Sequence, residues 1–151
     1  MKPLTLKIKK LAGEAGEPAT PFYATGGSAG LDLSAALAAP VTLAPLGRAV
    51  IPTGIAIGLP SADYVGLVYA RSGLAVKHGV TTSNGVGVID SDYRGEIKVG
   101  LVNLSDTPYT IAPGERIAQL VVAPVARCEL EVVDDLDETA RGAGGFGSTG
   151  R

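Results

Sequence analysis

Apolar and polar residues alternate along much of this chain. Leu4, Leu6 and Ile8 recur at every second position, as do Ile55, Ile57 and Leu59, then Ile97, Val99 and Leu101, then Cys128, Leu130 and Val132. A period of two puts one set of side chains on one face of an extended backbone, so each run predicts a β-strand with a buried face. Turn-forming stretches separate the runs: Ala44-Pro45-Leu46-Gly47, Ile51-Pro52-Thr53-Gly54 and Ala112-Pro113-Gly114-Glu115. Their spacing is that of sandwiches and barrels, and the expected architecture is all-β and jelly-roll-like. No repeat or linker interrupts the pattern before residue 137. The expected organisation is a β domain over 1–136 and a flexible glycine-rich tail over 137–151.

One segment departs from period two. In Ala70-Arg71-Ser72-Gly73-Leu74-Ala75-Val76-Lys77-His78-Gly79, Ser72 suits an N-cap and Gly79 a C′ position, which predicts about two helical turns and the only substantial helix. A helix N-terminus carries free amides and partial positive charge, so Arg71 and Ser72 mark either an ordinary cap or a phosphate seat.

Composition narrows the classes of function. At 151 residues, with 46% hydrophobic and 19% charged residues, the chain is sized for one domain with a real core. The net charge of −2 gives no footprint for a nucleic-acid partner. No stretch reaches the ~18 apolar residues of a membrane span, and Met1-Lys2-Pro3-Leu4 does not begin a signal peptide. The lone Cys128 excludes an internal disulfide, suits a reducing compartment and reads as a core residue; a cytoplasmic protein is expected. With His78 the only histidine, neither a histidine-based metal site nor a catalytic triad is available, and the phosphate-loop and dinucleotide fingerprints are absent.

The candidate chemistry lies in four places. The stretch from Asn84 to Ile97 reads as a β-hairpin whose glycines allow a flat heterocycle to approach the main chain, with Asn84 adding a side-chain amide. Asp90 follows Val88 and Ile89, where partial burial would poise a carboxylate as a base; alternatively Asp90 and Asp92 form a solvated turn. Tyr93 reads as a core aromatic or a ligand contact. Asp32 and Gln119 each interrupt an apolar run and either face water or reach into a site. Finally, Arg141 to Gly150 contains five glycines beside Arg141, Phe146, Ser148 and Thr149. That mixture suits a clamp over a phosphate and a flat ring better than a solubilising tail.

Five blocks in order, AGLDLSA at 29–35, ARSGLA at 70–75, NGVGVIDSDYRGEI at 84–97, GERIAQL at 114–120 and RGAGGFGSTG at 141–150, resemble those of the trimeric deoxyuridine triphosphatases (dUTPases) over essentially the whole chain. Ala70 stands where that family commonly has proline or glycine. The resemblance implies a homotrimer with shared active sites that hydrolyses dUTP to dUMP and pyrophosphate with Mg²⁺. It casts Asp90 as the carboxylate that activates water and Tyr93 as the ring under deoxyribose. Asn84 with the main chain of Gly87, Val88, Ile89 and Lys98 would read uracil. Arg71, Ser72, Gly73 and Gln119 would cradle phosphates, Asp32 would hold the metal through water, and Arg141, Phe146, Gly147, Ser148 and Thr149 would close over the nucleotide. A dCTP deaminase of the same superfamily, or an inactive nucleotide-binding trimer, are the rival readings; the intact third and fifth blocks and the joint presence of Asp32 and Asp90 disfavour them.

Overall fold

The structure is a computed structural model in which residues 4–145 are described. Four runs form one antiparallel sheet: β2 (Leu31–Ser34), β11 (Arg116–Pro124), β6 (Tyr64–Ala70) and β8 (Gly87–Ile89), in that spatial order. A second sheet has the order β4 (Arg48–Pro52), β9 (Lys98–Asn103), β7 (Val80–Thr82). Two antiparallel pairs complete the body, β1 (Lys7–Lys10) with β5 (Ile55–Gly58) and β3 (Val41–Leu43) with β10 (Tyr109–Ile111). The all-β expectation holds.

Alternation is visible in burial. Along β9, Val99, Leu101 and Asn103 are buried while Lys98, Gly100 and Val102 are less so. Leu33, Ile51, Ile55, Leu101, Ile111, Ile117 and Leu120, which span all four sheets, and Ile97 just before β9 are each under 2% exposed. They meet in one cluster, and each such burial stabilises the fold by roughly 1.5–3 kcal/mol.

The helix α1 (Ser72–His78) is the only one among the described residues. Its N-cap is Arg71, not Ser72: Arg71 is the last extended residue leaving β6, at φ −91° and ψ 131°, and Ser72 already has helical backbone. No side chain caps the first turn. Gly79 ends the helix at φ 68°, as its position predicts, and its amide closes onto Ala75 and Leu74 carbonyls.

Two expectations are corrected and one of two alternatives drops out. The alternation at Cys128, Leu130 and Val132 forms no strand, since none of the described strands pairs with it; Cys128 is exposed and Val132 is 99% exposed. Tyr93 is not a core residue but 44% exposed. The stretch from Asn84 to Ile97 is not a closed hairpin, since β8 pairs with β6 while β9 pairs with β4 and β7.

The end of β9 depends on a buried amide. Asn103 is fully buried; its Nδ2 donates to the carbonyls of Leu43 (3.0 Å) and Thr107 (2.8 Å), and its Oδ1 accepts from the Ser105 amide and hydroxyl. Asn103→Ala leaves these groups without partners and should lower stability by about 2–4 kcal/mol, seen as an earlier urea midpoint at fixed protein concentration. An unshifted midpoint would show the network to be dispensable.

Candidate functional site

In the ladder between β2 and β11, Asp32 faces Gln119, and Gln119 faces Tyr69 of β6. Facing residues project to the same side of a sheet, so Asp32, Gln119 and Tyr69 share one face. Arg116 lies three residues before Gln119, which in a regular strand would turn it to the other face. A register shift between Arg116 and Ala118 prevents this: Arg116 faces Ser34 and Ala118 faces Leu33, so Ile117 is the extra residue of a β-bulge. The bulge returns Arg116 to the face of Asp32.

Asp32 is 3% exposed and sits between two guanidinium groups. Arg116 Nη1 donates to Oδ2 at 2.9 Å. Arg71 Nε lies 3.2 Å from Oδ1 but is misaligned for a hydrogen bond, so both atoms are buried without a directed partner. Arg71 Nη1 instead donates to the Arg116 carbonyl at 3.0 Å. Asp32 does not face open water: on the face opposite Leu33 and Leu120 it is covered by the two arginines. Arg116 was not among the residues singled out from sequence; its signal was a charge beside Glu115 at the start of an apolar run.

Glu115 holds the turn that delivers Arg116. Its Oε2 accepts from the Ala112 amide at 2.9 Å, its Oε1 accepts from the Tyr109 hydroxyl, and its carbonyl accepts from the Ala35 amide at 2.8 Å. Burial, reinforced by the bond to Glu115, pushes the Tyr109 phenol up to about 12.

A second group of residues surrounds the gap between β8 and β9. Val68, Thr82, Asn84, Gly87, Val88, Ile89, Lys98, Val99 and Gly100 line a cleft of about 140 Å³. Because β8 and β9 belong to different sheets, they diverge here. The β7–β9 ladder stops at Thr82–Leu101, with the Ser83 amide donating to the Gly100 carbonyl, and β8 has a partner only on its β6 side. Main-chain groups of β8 and the start of β9 thus face the cleft unpaired by any strand. Gly87 allows β8 to lie close on β6: a Cβ there would come within 3.1 Å of Val68 Cβ.

Asp90 lies one residue beyond Ile89 and is exposed in the single chain, contrary to the partial burial expected for it. The strand has ended, and Asp90 opens a turn closed by the Tyr93 amide donating to its carbonyl at 3.1 Å. It borders an open depression with Tyr64, Val65, Ser91, Asp92, Val125 and Arg127. The Tyr93 hydroxyl donates to the Glu96 carbonyl at 2.9 Å.

Asp90 is far from Arg71 on one chain. Ile89 faces Gly66 on β6, whereas Arg71 follows Ala70 at the other end of that strand. Asp90 and Arg71 are therefore separated by about six residues of strand, roughly 20 Å. Arg141 is exposed, and its Nε donates to the Gly144 carbonyl in its own turn at 2.9 Å. The expectations for Phe146, Gly147, Ser148 and Thr149 lie outside the described residues. Among the described residues no cluster of three or more His, Cys, Asp or Glu side chains could hold a metal ion directly, and no helix is long and apolar enough to cross a membrane.

The dUTPase family model matches residues 17–150. The chain belongs to the dUTPase family. It is 54% identical over 150 residues to the deoxyuridine 5'-triphosphate nucleotidohydrolase of Anaeromyxobacter sp. (strain Fw109-5), covering 99% of both chains. It is 55% identical over 130 residues to that of Hahella chejuensis (strain KCTC 2396), covering 86% of each. Among solved structures, the dUTPase of Staphylococcus bacteriophage 80alpha with dUpNHpp superposes with a TM-score of 0.86 at 31% identity, covering 97% of this chain and 99% of that one. A dUTPase from phage phi11 of S. aureus, described with a structural Mg(II) ion, matches at a TM-score of 0.77 and 26% identity, covering 89% and 99%.

Tyr109 gives this dUTPase-family chain a pH signature. The unfolded chain ionises Tyr109 near its ordinary 10.0, the folded chain only near 12. Its contribution to stability is therefore full below pH 10 and lost as the pH rises to about 12. Tyr109→Phe should remove one late phenolate from the absorbance titration and flatten the fall in urea midpoint over that window; an unchanged titration would show that Tyr109 ionises elsewhere.

Proposed function

We propose that this chain hydrolyses dUTP to dUMP and pyrophosphate. The observation that carries the reading is the cleft between β8 and β9, whose unpaired main chain and Asn84 end, one residue on, at Asp90. Uracil offers an N3–H donor and carbonyl acceptors. Main-chain groups of Gly87, Val88, Ile89 and Lys98 with the Asn84 amide meet these needs, and they reject cytosine, whose donor and acceptor are reversed, by leaving polar groups unpaired. Tyr93 packs against deoxyribose and leaves no room for a 2′-hydroxyl. Asp90 takes a proton from a water that attacks the α-phosphorus; the new P–O bond forms as the bond to the bridging oxygen of the β-phosphate breaks, and pyrophosphate leaves.

Phosphates need positioning and charge neutralisation, which Arg71, Ser72, Gly73 and Gln119 supply beside an uncapped helix turn. Mg²⁺ suits this donor set: Asp32 Oδ1 is buried without a directed hydrogen bond and so keeps a lone pair for a metal-bound water. When bound, the ion neutralises phosphate charge. Arg141, with Phe146, Gly147, Ser148 and Thr149, closes over the nucleotide.

The wide separation of Asp90 from Arg71 favours a site shared between subunits of a homotrimer, one giving the cradle, another the cleft with Asp90, a third the tail. The segment after Pro124 favours it too, since Leu130, Val132 and Leu136 are 85% exposed or more, a cost that burial against a second copy removes. The body over 1–136 and tail over 137–151 are then separate working parts. The product would supply dUMP for dTMP synthesis and keep uracil out of DNA in the cytoplasm, with neither nucleic acid nor membrane as a partner.

Pyrophosphate release should be strong from dUTP and weak from dTTP, dCTP and UTP; ammonia release from dCTP would instead mark a deaminase. Asp90→Asn should lower turnover by roughly 10²–10⁴-fold with nucleotide binding kept, and a near wild-type rate would remove Asp90 from the role of base. A chain ending at Ala140 should also turn over poorly. Co-refolded in equal amounts with Asp90→Asn, about a quarter of all sites should combine an intact Asp90 with an intact tail and work. If subunit exchange occurs and the mixture is no more active than its parents, cleft and tail come from one chain.

A further inference from the structure

The ring of Tyr93 does not stand free beside the cleft. It folds back over Gly95, and a Cβ at that position would lie 3.0 Å from Tyr93 Cε2 and 2.6 Å from Cζ, the latter closer than real Cβ atoms approach other heavy atoms. Its hydroxyl donates to the Glu96 carbonyl at 2.9 Å. Glu96 is itself anchored, because its Oε1 accepts from the Gly54 amide at 2.8 Å, and the next residue is tied in turn: Thr53 Oγ1 donates to the Ile97 carbonyl at 2.6 Å. At the other end of the turn the Tyr93 amide donates to the Asp90 carbonyl, and Arg94 Nη1 donates to the carbonyls of Ser91 and Tyr93 at 2.8 and 2.9 Å.

We propose that Gly95 and the Glu96 carbonyl are positioning residues for sugar selection: they fix the Tyr93 ring in the pose that excludes a 2′-hydroxyl. The inference rests on Tyr93 being the sugar selector. A tyrosine at a half-exposed turn has two free side-chain torsions, and excluding one oxygen atom requires the ring to stay where it is. Selection against a hydroxyl by contact alone is modest and is lost when the wall can retreat. The missing side chain at Gly95 provides the seat, the Glu96 carbonyl holds the far edge of the ring, and the Gly54–Glu96 clasp joins that carbonyl to the body between β4 and β5.

The test compares kcat/KM for dUTP with kcat/KM for UTP. Gly95→Ala, which fills the seat, and Tyr93→Phe, which keeps the ring but removes its tether, should each lower the dUTP-to-UTP ratio, by about 10-fold and about 3-fold respectively. The loss should appear as a rise in UTP acceptance and in KM for dUTP, with kcat for dUTP nearly kept. In a Tyr93→Ala background, Gly95→Ala should have no further effect on the ratio, because the ring it displaces is gone. Either single variant leaving the ratio at its wild-type value, or Gly95→Ala acting equally in both backgrounds, overturns the inference. Should Gly95→Ala fail to fold, Tyr93→Phe alone decides. A Tyr93→Ala variant with an unchanged ratio sinks the selector reading itself, and the inference with it.

Discussion

A carboxylate buried to 3% exposure between two arginines is the constraint on which the rest of this site depends. Asp32 joins three elements: β2 carries it, β11 brings Arg116, and the junction of β6 with α1 brings Arg71. Removing either arginine leaves Asp32 with one cation instead of two, and because Arg71 is 24% and Arg116 44% exposed the cost falls below the roughly 3–5 kcal/mol of breaking a fully buried pair. The exposed Lys10–Glu17 pair, by contrast, is open to water and salt and contributes little. The Asp32 cluster is also asymmetric. Arg116 makes the directed hydrogen bond, and Arg71 makes a close but misaligned contact that spends its aligned donor on a backbone carbonyl. The carboxylate is held by two cations, yet its Oδ1 accepts no directed hydrogen bond.

The β-bulge at Ile117 and the splitting of β8 from β9 are two local irregularities with the same kind of consequence. Each gives up a segment of regular ladder and gains a geometry that regular strands do not provide. The bulge reverses the facing of Arg116. The split leaves main-chain donors and acceptors open around a cleft of about 140 Å³, where a closed hairpin would have paired them with each other. Buried or half-buried main-chain groups that lack partners are costly in water-poor surroundings, so such a cleft favours a ligand that satisfies them.

Asp90 and Arg71 lie at opposite ends of β6, and one chain cannot bend the strand to join them. Beyond Pro124 the same chain leaves Leu130, Val132 and Leu136 exposed. The exposure of Asp90 belongs to the same fact: a carboxylate at the end of an edge strand has no neighbour in its own chain to bury it.

The residues themselves determined the all-β class and the single helix with its glycine stop, and they marked Asp32, Arg71, Asn84, Asp90, Gln119 and Arg141 as candidates, because alternation, turn chemistry and block order are local properties of the chain. Local patterns could not show which strands would pair. The alternation at Cys128, Leu130 and Val132 is as regular as that at Ile97, Val99 and Leu101, yet only the second run finds partners within the chain. Nor could they show a bulge, so Arg116 stayed unnoticed three residues from Gln119, where period two assigns the opposite face. The seat of Tyr93 over Gly95 and the clasp of Glu96 onto Gly54 join residues through contacts that no spacing encodes. Facing, pairing and burial depend on what the rest of the chain places opposite a residue, and only the tertiary structure decides that.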